Sequence, residues 1–352
     1  MNAWIEKLRS TWGERFRLRP AGGEAAEGAA QAAVRAPSPF WVMVQKEFGD
    51  HIRSWRFIIL MSIVTLACFG SIYTAVTALK SGSAASAGSD TFLFLRMFTE
   101  SDGSLPNFLT FMSFLAPLIG IAIGFDAVNS ERNKGTLGRL LSQPIYRDDF
   151  LIAKFVAGLL LIAVVIFSLG FLVMGMGLFT IGYPPTPEEF WRVVVMLVMT
   201  IVYVGWWLNL SIFFSARFRQ AATSALSGIA VWIFFLVFYS MIVNLVGNLL
   251  ISSDMADVQS YIDAQSNLTL LSRLSPSYLF QEATSTLLYP DVRTLNPFVT
   301  QDQAYLAVNA PLSFGQSLLL VWPQVTALVA ETALIFAVSY VTFMRQEVRS
   351  RS

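Results

Sequence analysis

The 352-residue chain is 55% hydrophobic and only 13% charged, carries 29 Phe, and balances 24 Lys and Arg against 23 Asp and Glu. Soluble domains carry about 25% charged and roughly 45–50% apolar residues, so this is the balance of a membrane protein. A single Cys (Cys68) and a single His (His51) exclude an internal disulfide, a Cys- or His-based metal site and a Ser-His-Asp triad built within the chain.

Residues 1–19 place Trp4, Ile5, Leu8, Trp12 and Phe16 at helical spacing among basic residues. This reads as a helix lying on an anionic inner leaflet or as a frayed cytoplasmic tail. The following Ala-, Gly- and Glu-rich stretch is a linker, so residues 1–39 form an N-terminal extension. Residues 40–56 are amphipathic and run straight into the first apolar stretch, which predicts an interfacial elbow helix. That first stretch begins too late for a secretory signal peptide.

A membrane-spanning helix needs roughly 20 mainly apolar residues. Six runs qualify: 57–79, 107–128, 150–181, 193–214, 222–251 and 317–344. The third and fifth exceed what a bilayer requires, so tilt or projecting ends are expected. Cytoplasmic loops hold the excess of Lys and Arg. Here the flanks before run one and after runs two, four and six hold all but Lys80, Arg96, Arg192, Arg273 and Arg293, which predicts cytoplasmic N- and C-termini. The expected organisation is a transmembrane domain over 57–344, with a cytoplasmic loop at 130–147, a large extracellular loop at 252–316 and a cytoplasmic tail at 345–352.

Among the outer connections, residues 81–90 are a Gly/Ala/Ser linker. The long 252–316 loop contains "LSPSYLFQEATSTLL", where Ser275 fits an N-cap and Pro276 the first helical position of a short amphipathic helix. That helix is too short to span and is expected on the outer surface or capping the bundle.

No G-x-x-x-x-G-K-[ST] phosphate loop occurs; "NKGTL" lacks the glycine-rich turn that cradles phosphates. Neither a catalytic constellation nor a metal site is visible, and the basic residues are explained by topology without nucleic acid. Two acids lie in or beside spans, where ionisable groups are functional candidates. Asp126 sits near the end of run two, either in a translocation path or as an interfacial acid near Arg132 or Lys134. Glu331, midway along run six, is either a packing residue or part of the path. Lys154 is expected to snorkel to the interface. The aromatic stretch "VGWWLNLSIFF" reads as an apolar translocation surface or, the commoner cause, as lipid-facing packing and interfacial belts.

The loop "SERNKGTLGRLLSQPIYRDDFLIAK" is polar and charge-dense between two apolar runs. Leu137, Leu140, Leu141 and Pro144 fall at i, i+3, i+4 and i+7, an apolar stripe closed by a proline. Asp148 and Asp149 suit the positive N-terminal end of the next helix. A lone short amphipathic helix is marginal in water, so it needs a surface: the inner leaflet or a groove on a partner.

This loop resembles the region between the second and third spans of the ABC-2 family of ATP-binding-cassette permeases. The matching residues are Glu131, Arg132, Gly135, Thr136, Leu137, Leu140, Leu141, Pro144, Arg147 and Lys154. The segments "KEFGDHIRSWRF", "LSPSYLFQEATSTLL" and "FMRQEVRS" are similar to the branch with NosY-like and sodium-exporter-like members; residues 1–39 match nothing in it. The resemblance implies an all-α, six-helix permease of the type V exporter-like fold in a bacterial-type cytoplasmic (inner) membrane. It implies an exporter rather than an enzyme, paired with a second copy or a related permease and with separate ATPase subunits that bind ATP and Mg, and in contact with membrane lipids. The alternative is an ion-coupled secondary carrier or channel using Asp126 and Glu331 as a relay.

Overall fold

The computed structural model describes residues 38–81, 92–136, 147–250, 258–290 and 312–345, and among them all regular structure is helical. The leucine stripe at 137–144 and the extension at 1–37 lie outside the described residues. The chain divides into two units, Met1–Val42 and Met43–Ser352; the described part of the first is the opening of α1.

Among the described residues six helices are long and apolar enough to cross a membrane. In hydrocarbon every backbone N–H and C=O must be satisfied within the segment, so continuous apolar runs become helices. The first span is α2 (Trp55–Lys80), preceded by the elbow helix α1 (Pro39–Ile52). Ser54 makes the corner between them. Its hydroxyl accepts from the Phe57 amide at 3.3 Å, capping α2, and donates to the His51 carbonyl at 2.8 Å.

A short helix α3 (Leu93–Thr99) leads to α4 (Phe108–Gly124), which continues through a turn into α5 (Asn129–Asn133). The third span, α6 (Arg147–Ile181), has Asp148 and Asp149 in its first turn. At 1.5 Å per residue its length is about 52 Å against a core of roughly 30 Å, so its ends project beyond the hydrocarbon.

The fourth span, α7 (Pro187–Arg217), is the centre of the bundle. Of its most apolar window 67% is buried, and it packs on α4, on α6 and on the sixth span, α12 (Phe314–Met344). Its start is fixed by a capping box of Thr186 and Glu189, with Pro187 at the first position. Most of "VGWWLNLSIFF" therefore does not face lipid: Val204, Trp206, Trp207, Leu208 and Ile212 are core, while Leu210, Phe213 and Phe214 are part-exposed. The sequence offers only an apolar run, and a helix surrounded by other helices has no polar face to reveal which side is inward.

Glycine makes the α4–α7 contact possible. A β-carbon on Gly120 would lie 2.7 Å from the Leu208 amide nitrogen and the Val204 carbonyl, and one on Gly124 would lie 2.8 Å from the Leu208 carbonyl. This small-xxx-small spacing lets two backbones touch, and Ser211 uses the approach to donate to the Ile121 carbonyl at 3.1 Å.

The fifth span comprises α8 (Ala221–Ile233), a π-helical turn (Phe234–Phe238) and α9 (Tyr239–Leu250). Only 6% of its apolar window is buried, and 17% of that of α12, so these two spans keep most of their surface free for lipid or a second chain.

Between spans five and six lie α10 (Val258–Ser272), which packs on α9, and after a short turn α11 (Pro276–Leu288). Ser275 is the N-cap residue and Pro276 starts α11, as the sequence predicts. α11 does more than lie on the surface. Phe280 stacks on Tyr203 of α7 at 4.5 Å and Gln281 donates to Ser113 of α4 at 2.8 Å, so α11 is inserted among the spans. Fully buried Arg192 clamps its far end, donating to the carbonyls of Leu287 (2.9 Å) and Leu312 (2.6 Å), to Ser317 Oγ (3.0 Å) and to Glu188 (2.8 Å).

Candidate functional site

The basic end of the bundle, where α1, α5 and the starts of α2 and α6 meet, concentrates the chain's charged contacts. The turn after α5 shows what the Gly-Thr-Leu motif does locally. Gly135 adopts φ +69°, a left-handed conformation that glycine reaches without a Cβ penalty. Thr136 then turns its hydroxyl back to the carbonyl of Glu131 at 3.2 Å and to the Glu131 carboxylate. The helix ends there and the chain is aimed into residues 137–146.

α5 is fastened to the end of α7. Ser215 Oγ accepts from the amides of Val128 (2.9 Å) and Asn129 (3.2 Å), and Asn133 donates to the Arg219 carbonyl at 3.1 Å. Arg132 reaches the Ala216 carbonyl. The other side of the junction is ionic. Lys154, only 3% exposed, lies 2.7 Å from Glu47 of α1. Lys46 bridges Glu47 (3.0 Å), Asp50 (3.3 Å) and Glu131 (3.6 Å). Lys154 thus does not snorkel to the interface; an acid on the elbow helix meets it inside. The sequence signal was present, since Glu47 recurs with Val44 and Met43 on the buried face of α1, but its partner lies 107 residues away.

Burial alone would raise the Glu47 carboxyl, yet the ammonium groups of Lys154 and Lys46 outweigh it and hold its pKa below the ordinary value. Lys46 is desolvated too, but Glu47, Glu131 and Asp50 push its pKa upward. His51 is depressed chiefly by burial and is neutral at pH 7. Asp126 pairs with Arg56 of α2 rather than with Arg132 or Lys134. A crevice of about 320 Å³ opens between these groups, with Glu47, His51, Arg56, Asp126, Glu131 and Lys154 on its walls. Arg147 begins α6 nearby in sequence, while Leu137, Leu140, Leu141 and Pro144 lie outside the described residues.

Glu331 is elsewhere, midway along α12 and half-buried. Its neighbours are Trp206 and Tyr239, and the next residue's carbonyl, Thr332, accepts from Asn209 at 2.8 Å. Asp126 and Glu331 are not brought together: one is paired at the crevice, the other stands in an aromatic setting on another helix. Among the described residues no group of three or more His, Cys, Asp or Glu is arranged to hold a metal ion.

Among the described residues six apolar helices around a central fourth span, with an elbow helix and a glycine turn at one end, define a multi-pass membrane protein. Residues 41–348 match the sequence profile of ABC-2 family transporter proteins, and the chain belongs to that family. It is 24% identical over 204 residues to "Probable ABC transporter permease protein NosY" of Stutzerimonas stutzeri, covering 57% of this chain and 68% of that one. The protein of the same name from Pseudomonas aeruginosa is 26% identical over 123 residues, covering 35% of this chain and 40% of that one. The chain is accordingly the membrane subunit of an ABC transporter and not itself the catalytic component.

Proposed function

We propose that this chain is the permease of an ATP-driven exporter in a bacterial-type inner membrane, with the basic end in the cytoplasm. It works as a dimer with a second copy or a related permease. Separate ATPase subunits bind ATP and Mg and seat on residues 130–147. The observation that carries this reading is the mechanical continuity of the junction. The turn at Glu131, Gly135 and Thr136 is tied through Lys46 and Glu47 to Lys154 on α6, and through Ser215 and Asn133 to the end of α7. A push on the segment beyond Thr136 is passed to the third and fourth spans together. Nucleotide switches the bundle only by favouring one of its states over the other.

Burial of one leucine is worth roughly 1.5–3 kcal/mol, so Leu140→Asp should abolish ATPase copurification and coupled ATP turnover, with Arg139→Gln as a control that retains both. Full association and turnover in Leu140→Asp would remove this loop from the coupling role.

A further inference from the structure

The surroundings of Glu331 point to the chemistry of a ligand. Glu331 lies about 26 Å along α12 from its first residue at 1.5 Å per residue, well inside the span. One of its carboxylate oxygens, Oε2, is buried without a hydrogen-bond partner among the described residues, as are Asn209 Oδ1 and the indole N–H donors of Trp206 and Trp207. Among the described residues no Lys or Arg is paired with Glu331. The cation of the neighbouring α10–α11 turn is already taken, because Arg273 gives two hydrogen bonds to Glu282 at 3.0 and 2.7 Å. That turn touches the site, since Tyr239 donates to the Leu271 carbonyl at 2.5 Å.

The wall beside Glu331 is aromatic. Trp206 lies 4.7 Å from Trp207 and 6.1 Å from Phe235, and Phe235 lies 5.4 Å from Tyr239. Phe235 belongs to the π-helical turn of span five. Such a turn shifts the register of the side chains that follow and recurs at functional sites; here it occurs where span five meets Trp206 and Trp207. Aromatic faces attract cations, most strongly when water is excluded, and the unpartnered groups here are of both kinds, carboxylate and amide acceptors beside indole N–H donors, so a polar ligand group has partners to meet.

We propose that Glu331, Asn209, Trp206, Phe235 and Tyr239 form a binding site for a hydrophobic organic cation: an aromatic or aliphatic body whose positive charge is an ammonium or iminium with at least one N–H. Its positive charge neutralises Glu331, its N–H satisfies the orphaned acceptors, and its body rests against the indole and phenyl faces. The inference deepens the transport reading by naming a substrate class, and it rests on that reading for its physiological meaning.

The test is equilibrium binding to the full-length chain in lipid nanodiscs, with empty nanodiscs correcting for partition into lipid. The probe is rhodamine 6G, a fluorescent cation with N–H groups; the comparison is an uncharged dye of similar size. Wild type should bind rhodamine 6G saturably. Glu331→Gln, which keeps the shape, should weaken it about tenfold or more, and Phe235→Leu by a smaller factor. Binding of the neutral dye should not distinguish wild type from Glu331→Gln. Absence of saturable cation binding, or equal affinity in Glu331→Gln, overturns the proposal and leaves Glu331 a packing residue. No ATPase is present in this assay, so its failure is separable from failure of the docking reading, which copurification tests.

Discussion

At the scale of single residues, the contact with the largest consequence is the buried pair Lys154–Glu47. Two charges taken out of water cost several kcal/mol each, and the pair is tolerated because each neutralises the other, with Lys46 as a third member. Removing one partner strands the other. Lys154→Met should therefore destabilise the folded chain by about 3–5 kcal/mol, read as a loss of thermal stability in detergent, and Glu47→Leu added to Lys154→Met should restore most of it. The pH dependence has a definite sign. Folding lowers the Glu47 pKa from its ordinary 4.5, so its contribution is complete above that value and is lost as pH falls below it through the folded value. The double variant should lack that part of the acid-side loss. A single variant as stable as wild type would mean that the pair contributes nothing.

At the scale of elements, the controlling contact is the backbone approach of α4 and α7 at Gly120 and Gly124. Gly120→Ala places a methyl against backbone, which cannot swing aside, and overpacking of this kind costs about 1–3 kcal/mol. Gly175→Ala, where nothing lies within 4 Å, is the control and should be neutral in the same thermal assay; equal stability of the two variants would contradict the close approach. The spans themselves were legible from the sequence because a run of apolar residues has one solution in hydrocarbon. Ser275 and Pro276 were legible because capping is a local code. What did not show was which face each span turns inward. Trp206 and Trp207 were read as a translocation surface or, more commonly for such a stretch, as lipid-facing packing, and they are core; the insertion of α11 beneath Arg192 depends on partners around a hundred residues away. Gly135 was read as part of a family motif; its left-handed backbone supplies the local physical reason for it. Lys154 was misplaced for the same reason as the tryptophans, since Glu47 reaches it only through the fold.

At the scale of the whole molecule, the distribution of free surface follows from what the chain has and lacks. Span five is almost bare, and span six, though packed on α7 and α11, keeps an exposed face, surface that lipid and the proposed second permease would cover. The charged groups gather at the end that bears α1 and α5. Asp126 is held by Arg56 at the crevice, which Glu331 does not line, so under the proposed coupling work done there would reach Glu331 through helix movement. The central claim is that a separate ATPase chain seats on residues 130–147 at this end. The most direct measurement is site-specific photocrosslinking in intact cells, with a benzophenone amino acid at Arg139 and, as the opposite-end control, at exposed Ser104. The account predicts a cross-link from position 139 to an ATP-binding-cassette ATPase and none from position 104. An ATPase captured from position 104, or none from position 139, would contradict it.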